Sequence, residues 1–414
     1  MKIRLNNLVE GYFSALFFMI NPILGFVMSL RNIGRNSYFS VLILTFLITL
    51  MAYTMRPYVG WDIVRYYDYY DTGGYTGITL MSIFFDIGTI SAFIDFMSEN
   101  NIKKEFIPAI STFIQFFCTF TVLYSVLKKR EKDSQSNLIN FYFYCVVLVS
   151  TSFIASASGV RNGAALGLFI AGYYFFFENK KKTAVVIFTL GTAIHFFILL
   201  PILILVVGNL FRFVSLRFYK TVLVLSMLMA VMGVANLFIS ALFLVLKPIL
   251  TAVNLYKEQY VLSGEYSSFS ASDGYDLVLK LIILIPLIIY SFILIKNKKD
   301  DRESLFIYQM LIICFLFSGL TTLFNRYMIL TELVASIYLA KRFSQDVLKP
   351  KIKKVHFLLL GALLLACVKP LGQYRGIYLP SWGKLFTTST VTLLQEDIKP
   401  SQYIPAETQS IKSL

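Results

Sequence analysis

Residues 106–127 read FIPAISTFIQFFCTFTVLYSVL, 22 residues without a charge, with KKE in front and KKREK behind. About 20 mostly apolar residues suffice for a helix to cross the hydrocarbon of a bilayer. Working outward from this run, apolar stretches recur at 11–29, 37–54, 139–158, 163–178, 221–246, 276–295, 304–323, 327–340 and 355–370, several of them bounded by charges. The composition agrees. Of 414 residues, 57% are hydrophobic and only 15% charged, and the mean hydropathy is +0.69. A globular chain in water carries about a quarter charged residues, so a soluble enzyme, a disordered protein and a nucleic-acid-binding domain are excluded. The expected fold is all-α, a polytopic integral membrane protein.

Two further runs are ambiguous. Residues 77–97 are apolar but carry Asp86 and Asp95, and 183–211 is broken near its middle by His195 and Pro201. Charge arbitrates between the topologies. If 77–97 stays on one side as a re-entrant or interfacial amphipathic helix and 183–211 crosses twice, the chain makes about twelve transmembrane helices. The loops 30–36, 128–138, 179–182, 212–220, 296–303 and 341–354 then share one face and hold 22 of the 38 Lys and Arg. Cytoplasmic loops carry such an excess. In the inverse arrangement, LKKREK and NKKKT would face outward. The first arrangement is expected, although it makes the two halves of 183–211 short enough to require bilayer thinning or a half-membrane hairpin.

It gives a single membrane domain, 1–414, with both termini outside and outer segments at 55–105, 247–275 and 371–414. The start, MKIRLNNLVEGYFSALFFMI, has a basic front but no small-residue cleavage site, so a retained first helix is expected. The six inner loops also hold seven of the 23 acidic residues, counting Glu178 at the edge of one. The whole net charge of +15 therefore lies on the inner face, and the remainder is neutral. The excess is orientation information, not a polyanion footprint.

Cys118, Cys145, Cys314 and Cys367 all fall in apolar runs, and there are two histidines. Neither a disulfide framework nor a metal site is expected. Four stretches could carry chemistry. The first, MRPYVGWDIVRYYDYYDTGGYTG (55–77), sets Asp62, Arg65, Asp68 and Asp71 among Tyr58, Trp61, Tyr66, Tyr67, Tyr69, Tyr70 and Tyr75. An aromatic belt at headgroup depth is one reading. A carbohydrate site is the other, since flat rings stack on sugar C–H faces while carboxylates accept from hydroxyls. The second, SASGVRNGAALG (156–167), holds Arg161 between small residues that let backbones approach closely. The third, TTLFNRYMILTELV (321–334), holds Arg326 on the same outer face. Both arginines either snorkel to headgroups or bind an anion, for which a planar guanidinium is suited. The fourth, LGTAIHFFILLP (190–201), places His195 at the break of its run, as a buried core residue or a functional one. His356 lies against a basic cluster and reads as interfacial, while Glu265, Asp273 and Asp276 carry no spacing signal. No P-loop, dinucleotide fingerprint or DxD-like metal pair is present, so the substrate is not a soluble nucleotide.

An Asp and Arg in a Tyr-rich loop, then Arg161-Asn162-Gly163-Ala164, His195 in a short apolar helix, and Arg326-Tyr327 late in the chain resemble the EpsG-like family. That family is grouped with the Wzy-type polymerases of O-antigen, capsule and exopolysaccharide. The resemblance runs from about residue 37 to 340, with Arg161-Asn162 where Arg-Gln is common. It implies a GT-C-like membrane glycosyltransferase of the bacterial cytoplasmic (inner) membrane, acting at its outer face. Its substrates would be undecaprenyl-diphosphate-linked repeat units, with no metal or other cofactor, and its partners the bilayer plus a chain-length regulator and flippase of the same pathway. Asp62, Arg161, His195 and Arg326 would be catalytic. The arginines would stabilise the leaving diphosphate, and Asp62 or His195 would take the acceptor proton. Arg65, Tyr58, Trp61, Tyr66, Tyr67, Tyr70, Asn162 and Asn325 would bind substrate. An O-antigen ligase-type transferase and a lipid-linked oligosaccharide flippase stand as alternatives.

Overall fold

The computed structural model describes residues 2–59, 61–73, 83, 88–129, 136–208, 215–235, 274–296, 301–345, 353–373 and 375–405. Among them every long element is a helix, and the one β contact is an isolated parallel bridge between Tyr58 and Ile404. The all-α expectation holds. The chain forms two compact units, one of residues 1–199, 339–350 and 368–414, the other of 200–338 and 351–367.

The first unit begins with α1 (Lys2–Ile20), α2 (Pro22–Gly34) and α3 (Tyr38–Tyr53), followed by α4 (Asp62–Thr72), α5 (Gly88–Glu99), α6 (Phe106–Lys128), α7 (Ser136–Ser150), α8 (Phe153–Ala157), α9 (Val160–Phe177) and α10 (Lys181–Ile194). Its centre is α6, which packs on both α3 and α9. The α6–α9 contact is close because Gly163 and Gly167, one turn apart, turn bare backbone toward α6. A Cβ at Gly167 would lie 2.5 Å from the Gln115 Cα, and one at Gly163 would lie 2.8 Å from the Ser111 hydroxyl. Small residues at this spacing are how helices pack where no water drives them together. The turn into α10 has an equally local cause. Asn179 sits at φ 60, while Lys180 N–H donates to the Phe175 carbonyl and Asn179 N–H to that of Phe176, a Schellman ending. α10 then returns antiparallel along α9, with Gly172 against Phe188 and Gly191 against Leu168.

Farther on, α17 (Arg375–Thr387) and α18 (Thr390–Gln395) bring the tail back into this unit. Leu385 and Leu393 share a core with Phe18, Leu47, Tyr53 and Ala109.

In the second unit, α12 (Leu216–Val231) packs on α14 (Arg302–Leu316). α14 opens with a reciprocal cap in which Asp301 Oδ1 accepts from Ser304 N–H. α13 (Gly274–Lys296) is tied to α15 (Thr321–Gln345) by Tyr290 and Ser336 hydroxyls 2.5 Å apart, and the Cys314 thiol lies 3.1 Å from the Thr331 hydroxyl. This unit also contains α11 (Leu199–Gly208) from residue 200 on, and α16 (Lys354–Gln373) up to residue 367.

The helices differ from the expected spans in instructive places. The run 11–29 is a hairpin of α1 and α2. The Asn21 side chain caps α2 by accepting from Leu24 N–H, and Pro22 opens it, a stop–start signal that the apolar count overrode. The run 139–158 is likewise divided, by Ser152 capping α8. The run 183–211 does break at His195 as expected. As a result, Phe106–Lys128 alone among the described residues is both long and apolar enough to span a bilayer, beside shorter apolar helices such as Tyr38–Tyr53 and Phe196–Gly208. Helix length alone therefore does not establish twelve crossings. Of the ambiguous 77–97 run, α5 covers the second half, and Asp86 lies outside the described residues. So do most of the 247–275 segment, with Glu265 and Asp273, and the side chain of Asp276. The four cysteines form no disulfide.

Large apolar side chains nonetheless cover the outer helix faces, among them Leu190, Leu203, Leu225, Leu228, Leu358 and Leu364. The α6–α9 contact can be tested directly. Gly167→Leu should destabilise the fold by about 1–3 kcal/mol through overpacking against backbone. Gly361→Ala, inside α16 with no atom within 4 Å, should instead stabilise it by up to about 1 kcal/mol. Thermal unfolding of the two variants in detergent measures the difference.

Candidate functional site

The Tyr-rich segment folds into α4 because Asp62 opens the helix, where a carboxylate complements the positive end of its dipole, and Gly73 closes it at φ 78. One face of α4 is apolar and inward. Ile63, Tyr66 and Tyr67 share a core with Ile94, Ile107 and Val160, and Tyr70 packs on its edge. Tyr58 packs in a neighbouring core with Ala157, and Trp61 lies against it. The residues on either side of Gly159, just before Arg161, are therefore clasped by the aromatic segment. Sequence had linked these two stretches only by resemblance.

The other face of α4 is polar and exposed. Arg65 lies 3.3 Å from Asp62 and over the Tyr66 ring at 5.5 Å. Partial burial works against the Arg65 charge, but Asp62 and then Tyr66 outweigh it and raise its pKa. Asp68 is exposed, whereas Asp71 is engaged by Lys104 at 2.5 Å. Tyr75 lies outside the described residues.

Beneath the arginine turn, α6 supplies polar groups that the apolar reading of residues 106–127 overlooked. Ser111 donates to the carbonyls of Val160 and Ser156, and the Ser156 hydroxyl bonds to Gln115 Oε1. Ser111 and Gln115 are 2% and 1% exposed, so these bonds hold the α8–α9 junction rigidly. Two buried polar atoms of the candidate residues are unfilled. Asn162 Oδ1, at this junction, and the Tyr67 hydroxyl, on the side of Glu105 and Tyr403, have no hydrogen-bond partner among the described residues. Each costs about 1–3 kcal/mol in that state. Such exceptions are expected where something else completes them. Burial first, and then the Glu105 carboxylate, push the Tyr67 phenol well above its ordinary range, so it stays a neutral donor.

His195 ends α10 in extended geometry, φ −157 and ψ 121, and is 5% exposed. Its Nδ1 accepts from Phe197 N–H at 3.4 Å. Because α10 runs antiparallel to α9 with Gly191 opposite Ala165 and Leu168, His195, one turn on, comes level with the first turn of α9. Tyr58, Trp61, Asp62, Arg65, Tyr66, Tyr67, Tyr70, Arg161, Asn162 and His195 all belong to the first unit, with Asp62 and Arg65 on the exposed face of α4 and not on the face that packs on Val160. Arg326 and Asn325 belong to the second unit, in the first two turns of α15. There Asn325 is exposed, Arg326 half-buried, and Tyr327 stacks on Phe317 at 5.8 Å. Glu332, 5% exposed on the same helix, is a buried carboxylate within the quoted run that spacing alone did not single out.

The exposed pair and the buried junction should respond differently to substitution. Arg65→Ala removes a solvent-screened contact and should cost about 0–1 kcal/mol. Gln115→Leu removes the buried Gln115–Ser156 bond, while Ser156 keeps its bond to the Ser152 carbonyl, and should cost about 0.5–1.5 kcal/mol plus any overpacking at this close helix contact. Parallel unfolding curves distinguish them.

Among known proteins, the EpsG family model matches residues 37–370. No curated protein and no solved structure matches the chain. A match over most of the sequence, in the same span that carries the Tyr-rich segment and both arginine turns, settles the affiliation: the chain belongs to the EpsG family.

Proposed function

We propose that the chain polymerises undecaprenyl-diphosphate-linked oligosaccharide repeat units into a surface polysaccharide at the outer face of the cytoplasmic membrane. Membership of the EpsG family gives the coarser role, in exopolysaccharide biosynthesis. The observation that supports the finer one is the α8–α9 junction, where Ala157 and Val160, on either side of the turn into Arg161, pack with Tyr58, Tyr66 and Tyr67, and Asn162 Oδ1 is buried without a hydrogen-bond partner among the described residues. An arginine at the N-terminus of an 18-residue helix is suited to a diphosphate, since guanidinium and helix dipole act on the same anion. The tyrosines beside it are suited to sugar rings. The exposed apolar faces support a chain embedded in lipid.

In this mechanism a hydroxyl of the incoming unit attacks the anomeric carbon of the growing chain. A new C–O bond forms, the bond to the diphosphate breaks, and undecaprenyl diphosphate leaves with the electron pair. Arg161 stabilises the charge on the leaving group, and Arg326, in the second unit, is the second candidate for that role by the family resemblance. Between the two candidate bases, the accessibility of the acceptor atoms favours Asp62. His195 is 5% exposed and its Nδ1 already accepts from Phe197 N–H, whereas the Asp62 carboxylate is half-exposed and retains acceptor sites beyond its contact with Arg65. Asp62 takes the hydroxyl proton and His195 orients an oxygen.

Arg161→Ala and Arg326→Ala should each cut elongation on the order of 10²–10³-fold, the usual loss when a charge-stabilising donor is removed. Cells should then display single-repeat glycan. Polymer of normal length from well-expressed variants would refute the assignment. His195→Gln, which keeps a donor, should retain more activity than His195→Ala, while Asp62→Asn should be as inactive as Asp62→Ala. In vitro, purified lipid-linked repeat units separate the classes: a polymerase lengthens the glycan, a ligase requires lipid A core, and a flippase leaves it unchanged.

A further inference from the structure

The chain after α17 lies across the start of the outer segment. The buried Glu105 accepts from Ile398 N–H at 2.6 Å, Lys103 pairs with Asp397 at 2.7 Å, and Ile404 bridges to Tyr58. Between this strap and the end of α3 is a cavity of about 200 Å³. Its polar lining includes Tyr53, Arg56, Lys384, Glu396, Asp397 and Gln402. That is room for about seven waters at ~30 Å³ each, or for one pyranose ring with its hydroxyls.

The functional groups are mixed in sign and incompletely used. Lys384 pairs with Glu396 at 2.5 Å, and Asp397 with Lys103, yet each carboxylate keeps lone pairs to spare. Tyr53 donates to the Leu394 carbonyl at 2.9 Å, which leaves its oxygen able to accept. Gln402 Oε1 accepts from Lys399 N–H at 3.0 Å, which leaves its amide NH₂ able to donate. The half-buried Arg56 contributes its backbone N–H to Ser381, but its guanidinium has no partner among the described residues. Two cations face two anions, so the cavity attracts neither a phosphate nor a metal ion by net charge. Donors and acceptors lie side by side, so an apolar ligand would strand both. A neutral ligand rich in hydroxyls uses both sets.

We infer that this cavity is a saccharide subsite, holding one sugar ring of the glycan beside the outer segment, with Arg56 as its principal donor. The inference rests on the reading of a glycan as substrate. It goes beyond that reading in making the C-terminal strap part of the binding surface.

The test uses the full chain in detergent with its four cysteines replaced by alanine and with Thr54→Cys, a lining residue outside the proposed donor and acceptor set, labelled by a polar maleimide. The probe is oligosaccharide released by mild acid from the surface polymer of the cells that carry the protein. The probe should slow labelling about tenfold, and Arg56→Ala or Arg56→Gln should abolish that protection. Absence of protection, equal protection with and without Arg56, or equal protection by inorganic phosphate would each overturn the subsite. In cells, Arg56→Ala should shorten the polymer without stopping polymerisation, and an unchanged length distribution also counts against it. The underlying reading fails separately: if Arg161→Ala makes full-length polymer, the polymerase assignment falls whatever the maleimide result.

Discussion

At Gly167 the backbone of α9 comes so near α6 that a single added carbon would meet the Gln115 Cα at 2.5 Å. That approach is the constraint on which the first unit depends. It brings the Ser111 hydroxyl and the Gln115 amide within reach of carbonyls and hydroxyls at the α8–α9 junction, which have no water to turn to when buried. It thereby fixes the turn that carries Arg161, and Val160 joins the core beneath Tyr66 and Tyr67. The antiparallel return of α10 then brings His195 level with the same turn. Packing, polar satisfaction and the placement of three candidate groups follow from two glycines one helical turn apart.

Charge on this unit is arranged to cancel locally. Asp62 with Arg65, Asp71 with Lys104, Asp397 with Lys103 and Glu396 with Lys384 are all within 3.3 Å. Half or more of each of these four pairs lies within segment 55–105 or the tail, which the sequence reads as outer and neutral in sum. Exposed pairs of this kind add little stability. Lys103 with Asp397 ties the tail to the 55–105 segment, while the other three pairs lie within one or the other, and the charges leave no broad field of one sign there.

Composition and apolar run length were enough to make the chain all-helical, and the order of the four chemical stretches was enough to point to the EpsG family. The break at His195 was also legible, because the polar ring and Pro201 interrupt a uniform run. The hairpin at Asn21–Pro22 was present in the letters as a cap followed by a proline, yet averaging hydropathy over 11–29 erased it. Ser111 and Gln115 escaped notice for a related reason: averaged with the apolar residues of the run they do not stand out, although they supply the hydrogen bonds under the arginine turn.

What the sequence determined alone is what depends on the chain's own composition: helix formation, and the order of the stretches that carry the family affiliation. What only the tertiary structure decided is which side chains meet. Tyr67 and Val160 are 93 positions apart, and Arg56 and Gln402 are 346 apart. Their proximity comes from close helix packing and from a tail anchored on buried Glu105. Long-range contacts of this kind leave no periodicity in the chain, because they are set by complementary shape and polar satisfaction between segments, not by spacing within one.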